Sequence, residues 1–137
     1  MKHLKLQLLL LALMAGMMTT SCAKKDIYID LTANDWEVVK MKKQGESSYT
    51  KAEESYVLTF TNEQTYTLNL DVNNCFGNYE IANKGNIDLG YVGCTEICCD
   101  SEFAQNLTQL FPKITKYYGK GDNLIFEGEG EIVLERK

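Results

Sequence analysis

From Trp36 to Glu135 the chain is organised by two hydrophobic periods. Trp36 and Val38 flank Glu37, as in the opening of a half-buried strand. Tyr56, Leu58 and Phe60 share one face of a second strand, and Thr61-Asn62-Glu63-Gln64 turns the chain. Tyr66, Leu68 and Leu70 then point one way, with Thr65, Thr67, Asn69 and Asp71 pointing the other. This alternation predicts a hairpin with one buried and one wet face. Tyr79 and Ile81 continue on a fourth strand; Asn83-Lys84-Gly85 turns into a fifth, where Ile87, Leu89 and Tyr91 alternate with Asn86, Asp88 and Gly90. The polar stretch from Gln44 to Glu54 reads as a long loop.

The period then lengthens. Phe103, Leu107 and Leu110 recur at helical spacing, with Asp100 or Ser101 as N-cap, Glu102 in the first turn and Pro112 ending the element. This predicts one helix near residues 101–111. Three short strands follow, Ile114 to Tyr118, Asn123 to Glu127 and Glu131 to Glu135, with turns at Gly119 to Asp122 and Gly128 to Gly130. The expectation is a mainly β (α+β) fold: about eight antiparallel strands in a small curled sheet or barrel, with one helix. Closure of this kind also removes exposed edges.

The front of the chain has a different pattern. Lys2 and Lys5 precede an apolar run from Leu8 to Met18, and Thr20-Ser21-Cys22 follows. Positive, apolar, then small residues is the order of a secretory signal peptide. The cysteine after it resembles the lipobox of bacterial lipoproteins, although Thr19 stands where an aliphatic residue is usual. The alternatives are a plain secreted protein with a stray cysteine, or a membrane span, for which the run is short of the roughly 17–25 residues required. The expected organisation is a signal peptide over 1–21, a lipid-attachment site and tether over 22–30, and a folded domain over 31–137. Lipid on Cys22 would tether the protein in the cell envelope, at the outer membrane, on its periplasmic side or at the cell surface. Ala23-Lys24-Lys25-Asp26 partly resembles a lipoprotein sorting signal, but a solvated linker is the favoured reading.

Composition narrows the chemistry. The full chain of 137 residues carries a net charge of −5. Losing Lys2 and Lys5 leaves 12 basic residues against 19 acidic ones, near −7. Such a chain repels phosphate backbones, so no nucleic-acid partner is expected. The single histidine, His3, departs with the signal, which removes Ser–His and Cys–His catalysis and His-ligated zinc. No cofactor and no metal is expected, and the mature protein reads as a monomer.

Cys75, Cys94, Cys98 and Cys99 remain once Cys22 is given to lipid. An even count in an exported domain reads as disulfides, with a four-thiolate zinc site as the rival, disfavoured because paired Cys-x2-Cys knuckles are missing. Three pairings exist. Cys98–Cys99 needs a vicinal ring and ranks last; Cys75–Cys99 with Cys94–Cys98 is preferred over Cys75–Cys98 with Cys94–Cys99.

Other residues carry weaker signals. Trp36 reads as a core anchor rather than a ligand platform. Tyr66, Tyr79, Tyr91, Tyr117 and Tyr118 read as core rim rather than a binding face. Gly128-Glu129-Gly130-Glu131 lacks the carboxylates of a Ca²⁺ loop and reads as a hairpin turn. Asn73-Asn74 reads as a turn rather than a sugar contact. Asn106-Leu107-Thr108 fits a glycosylation sequon but carries no weight in a bacterial protein. Asp71, Glu80 and Asp88 are the carboxylates an enzyme would use, yet they lie on wet faces without evident pairing. The chain is expected not to be an enzyme.

A family resemblance runs from about Leu31 to Glu135. Leu31, Trp36 and Val38 resemble the opening Leu-x-Gly-x-x-Trp-x-Leu of the META, or HslJ-like, domain. Asn73, Gly77 and Tyr79 resemble its Cys-Asn-x-Phe-x-Gly-x-Tyr segment, and Thr95 and Cys99 its Thr-x-Met-Ala-Cys. Phe103, Leu107 and Leu110 match its helix, and Tyr117 or Tyr118 with Gly121-Asp122-Asn123-Leu124 resembles its closing hairpin. The departures are Ala33 for Gly, Val72 for the first cysteine, Cys75 at an aromatic position, and the additional Cys94 and Cys98. The resemblance implies a compact antiparallel β fold in a small envelope lipoprotein, with the family disulfide rebuilt through Cys75 and a second one added. Members are associated with heat-shock response, antibiotic resistance, secretion and motility. No catalytic site is established for the family, so none is carried over. The expected function is a non-enzymatic lipoprotein presenting a surface to an envelope protein partner in a stress-response setting; the alternative is a small-molecule binder using the barrel mouth.

Overall fold

The computed structural model describes residues 29–83 and 85–137. The expected signal peptide and Cys22 lie outside the described residues.

Ten strands form one antiparallel sheet: β1 (Trp36–Lys43), β2 (Thr50–Phe60), β3 (Thr65–Asn69), β4 (Asn74–Asn78), β5 (Glu80–Asn83), β6 (Asn86–Asp88), β7 (Gly93–Cys94), β8 (Ile114–Lys120), β9 (Asn123–Gly128) and β10 (Gly130–Arg136). Their order is β5-β6-β8-β9-β10-β1-β2-β3-β4-β7. The sheet curls into a half-barrel whose terminal strands, β5 and β7, are four and two residues long. Short terminal strands present few unpaired backbone groups, which limits edge pairing. The one α-helix among the described residues, α1 (Glu102–Leu110), is joined to β8 by a 3-10 turn over Phe111–Lys113 containing Pro112.

The expected mainly β fold with one helix is therefore present, with two strands more than the pattern predicts. β4 carries no apolar alternation, because only Cys75 within it is buried, so the sequence pattern does not mark it as a strand. β7 is too short to carry a period. β2 begins at Thr50, inside the stretch read as a loop, because its first residues are exposed on both faces. A bulge at Val39 shifts the register of β1 against β10, and opposite it the pairing with β2 skips residues 52–55.

Inward positions of these strands build one core. Trp36, Leu58, Leu68, Leu124, Phe126, Ile132 and Leu134 are fully buried. The Trp36 indole N–H donates to the Leu31 carbonyl at 2.9 Å, which satisfies its polar edge and fastens the preceding 3-10 turn. Ile29 packs against the same core. Helix α1 buries Phe103, Ala104, Leu107 and Leu110; Phe103 stacks on Tyr56 at 5.0 Å between ring centroids. Phe111 meets Tyr66 edge-on at 5.2 Å, and Phe60 meets Tyr79 edge-on at 4.8 Å. The hollow of the half-barrel is thus filled by aromatic side chains from both sheet and helix.

Candidate functional site

The polar chemistry of the domain concentrates where β4, β7 and the loop leading to α1 meet. Antiparallel pairing of β4 with β7 sets Cys75 opposite Cys94, and their Cα atoms approach to 4.0 Å. The two are disulfide-bonded, and Cys98 is bonded to its neighbour Cys99. This corrects the expected pairing of Cys75 with Cys99 and Cys94 with Cys98. Register is the reason: the strand pairing presents Cys94 to the buried Cys75, while Cys98 and Cys99 stay on the exposed loop beyond it.

That loop is held by Asn73, the one buried polar side chain among the described residues. Its carbonyl Oδ1 accepts from the Thr95 hydroxyl and the Ile97 N–H, both at 2.8 Å. Its Nδ2 donates to the Ile97 carbonyl at 2.7 Å and to Asp100 Oδ2 at 2.6 Å. Asp100 Oδ1 in turn accepts from the N–H groups of Val72 and Asn73 at 3.1 and 3.2 Å. A primary amide, with two donors and a two-lone-pair acceptor, suits this arrangement. Asn73 lies in the β3–β4 turn, as expected, where its carbonyl accepts from Leu70 N–H at 2.8 Å, and its side chain also organises the cysteine loop; its place in the family-like segment was the signal available.

Beside it lies a cleft lined by Glu53, Glu54, Ser55, Leu70, Asp71, Cys99 and Ser101. The Tyr56 hydroxyl donates to Asp71 Oδ1 at 2.8 Å and lies 3.0 Å from Ser101 Oγ. The Ser101 N–H donates to Asp71 Oδ2 at 2.7 Å, and Ser101 Oγ caps α1 by accepting from Ala104 N–H at 3.2 Å. Burial alone would raise the Asp71 carboxyl, but hydrogen bonds from Ser101 and Tyr56 outweigh it and hold the group below the usual carboxylate range. Burial, opposed by Ser101 and reinforced by Asp71, pushes the Tyr56 phenol up to about 12. The result is a neutral phenol and an ionised carboxylate locked together over a helix cap. That arrangement fixes α1 against β2.

The remaining candidates disperse. Glu80 and Asp88 sit opposite one another on β5 and β6, both exposed, and Asp88 accepts from Gly90 N–H at 2.8 Å. Asp71 is not with them. Tyr66, Tyr79 and Tyr117 are buried and Tyr118 is half-buried, but Tyr91 is 88% exposed, against the expectation of core rim. The chain leaves the strand after Asp88, so alternation no longer governs it there. Around Gly128–Glu131, Glu129 pairs with Lys113 at 2.9 Å, and Glu131 with Lys42 at 3.8 Å and with the Tyr49 hydroxyl. Asn106 accepts from Lys43 Nζ at 2.7 Å. Among the described residues no three His, Cys, Asp or Glu side chains converge as metal ligands.

The surface over β4, β7 and the Asn73-held loop mixes exposed polar residues, such as Asn74, Asn78 and Thr95, with apolar ones. Val72, Phe76, Tyr91 and Ile97 are exposed there. Phe76 lies opposite Gly93, and its ring would come 3.3 Å from a side-chain carbon at that glycine. The Tyr91 carbonyl approaches to 2.6 Å of where a Gly77 Cβ would stand, so only glycine fits β4 there.

In architecture the domain is similar to a protein from Burkholderia xenovorans solved by NMR, with a TM-score of 0.64 at 12% identity over 78% of this chain and 83% of that one. It is also similar to a DUF4847 family protein from Bacteroides vulgatus, with a TM-score of 0.58 at 10% identity over 78% and 94% of the two chains. At such identities the likeness is one of fold. No curated protein matches the chain. The META domain family model matches residues 29–137. Its span covers the whole described sheet and helix, and the chain therefore belongs to the META domain family.

Proposed function

We propose that this META domain is a non-enzymatic module of the bacterial cell envelope, tethered by lipid on Cys22 at the outer membrane, that presents a surface to a protein partner. The observation that carries the reading is the contrast between a filled interior and several large apolar side chains left at the surface. Trp36, Tyr56, Tyr66, Phe111 and Phe126 occupy the hollow where a carried ligand would sit, while Val72, Phe76, Tyr91 and Ile97 face solvent. Large apolar side chains that folding leaves in water are where a partner's apolar surface gains most. Support for a non-catalytic role comes from the absence of histidine after His3 and from the commitment of Asp71, Tyr56 and Ser101 to one another. A stress-response setting is part of the proposal on the strength of the family's associations alone.

Native mass spectrometry of the protein extracted from its own membrane, without reductant, tests this reading. The expected mass includes lipid on Cys22 and no further small-molecule adduct, and mild crosslinking before extraction retains a second protein. Secretion into the medium with an unmodified N-terminus overturns the tether. A retained small molecule favours the ligand-binding alternative.

A further inference from the structure

We infer that Cys98 and Cys99 form a thiol–disulfide exchange site, approached from the cleft beside Asp71 and selective for cationic thiols; the inference needs neither the tether nor a protein partner. The two disulfides differ in span and exposure. Cys75–Cys94 joins paired strands at a sequence separation of 19, with Cys75 fully buried. Cys98–Cys99 joins neighbours, and both are exposed. A bond between neighbours encloses no intervening chain, so it withdraws little freedom from the unfolded state. Nor does the loop depend on it. Ile97, before the pair, is fixed by its N–H and carbonyl to the Asn73 side chain. Asp100 and Ser101, after it, are fixed to Asn73 and Asp71. The bond therefore sits on a loop anchored on both sides without it, and opening it leaves the fold intact. Exposed disulfides are the labile ones, and exchange rather than stability is the chemistry left to this pair.

The cleft supplies the approach and the selection. Cys99 lines it together with the carboxylates Glu53, Glu54 and Asp71, and no cation lines it. Ser55, on the same wall, meets both Glu37 and Lys137, whose charges offset one another. A thiolate carried on an ammonium-bearing molecule is drawn into such a cleft, and one carried on a carboxylate-bearing molecule is repelled. The entering thiolate attacks Cys99 Sγ and forms a mixed disulfide, while Cys98 leaves as a thiolate into solvent. A second thiolate attacks the small-molecule sulfur of the mixed disulfide and releases Cys99. Two thiols are thereby oxidised to one small disulfide, and the two cysteines take up their protons.

The test exposes the full chain, purified without reductant, to cysteamine and to glutathione in parallel, one cationic and the other anionic. Each rate is divided by that thiol's rate with a neutral small disulfide, and freed cysteines are alkylated and mapped by mass spectrometry. Cys98 and Cys99 should be alkylated together at thiol concentrations about tenfold below those that open Cys75–Cys94. The normalised rate should be severalfold higher for cysteamine, and the two should converge as salt shortens the screening length from about 10 Å to about 3 Å. Opening the pair should leave the melting temperature unchanged, as should the double variant Cys98→Ser with Cys99→Ser, whereas Cys94→Ser lowers it. Opening of Cys75–Cys94 first or at the same concentration overturns the inference. So does a melting temperature that falls in the double variant, or recovery of Cys98 or Cys99 linked to Cys75 or Cys94. Equal normalised rates, or a preference that salt does not reduce, overturn the approach from the acidic cleft.

Discussion

Asn73 and Asp100 hold each other across the start of β4: the amide of one donates to the carboxylate of the other at 2.6 Å, and that carboxylate also accepts the backbone N–H of Asn73. Twenty-seven residues of chain separate the two. The contact closes the loop that carries Thr95, Ile97, Cys98 and Cys99. Asn73→Ala would strand the Ile97 N–H and carbonyl and leave Asp100 short of a donor. The expected cost is about 1–3 kcal/mol, the usual range when a buried partner is removed. Chemical denaturation checks it, with faster amide exchange at Ile97 as the local readout. An unchanged midpoint would show that water replaces the amide freely.

The Cys75–Cys94 bond closes a loop of sequence separation 19. Restricting the unfolded chain by a loop of this size is worth about 3 kcal/mol. Cys94→Ser should lower stability by about that amount in unfolding experiments without reductant. Peptide mapping without reduction should recover Cys75 linked to Cys94; recovery of Cys75 linked to Cys99 would refute the pairing.

Stability should fall at both ends of the pH scale. Tyr56 and Tyr66 are raised to about 12, in both cases chiefly by burial. Tyr49 is raised to about 12 chiefly by its hydrogen bond to Glu131. A raised phenol contributes stability that is complete below its unfolded value of about 10 and is lost as pH climbs toward 12. Alkaline titration followed by circular dichroism should show unfolding in that window, with Tyr49→Phe and Tyr66→Phe reducing the dependence. Asp71 acts in the opposite sense. Its depressed value contributes stability above the ordinary carboxylate range, lost as pH drops through the folded value. Asp71→Asn should therefore flatten the acid limb and, because the Asp71 carboxylate helps raise Tyr56, also soften the Tyr56 part of the alkaline one.

Gly128 lies against the Lys113 carbonyl, and a Cβ there would stand 2.8 Å from the Ile114 Cα. Both obstacles are backbone, so a side chain cannot displace them. Gly128→Ala should cost about 1–3 kcal/mol through overpacking, read as a lowered melting temperature. Gly121 has a positive φ of 63° with open space around its Cβ position, so Gly121→Asn, a residue that tolerates this conformation, should cost far less.

Where burial follows a local period, the sequence by itself determined the structure. The hairpin arms at Tyr56, Leu58 and Phe60 and at Tyr66 and Leu68 are buried as their alternation requires. Helix α1 presents Phe103, Leu107 and Leu110 inward from its Ser101 cap for the same reason. Trp36 and the family's order of motifs are likewise properties of the chain alone. Tertiary structure decided what depends on residues distant in sequence. β4 exists because β3 and β7 pair with it, not because Asn74–Asn78 has a strand pattern. The partner of Cys75 follows from that pairing, Asn73 is buried because the loop folds over it, and Tyr91 is exposed because the chain leaves the sheet before reaching it. Period-two and helical patterns report which face of an element is wet. Register, loop closure and the meeting of Asn73 with Asp100 depend on contacts between segments, and no local window of residues contains them.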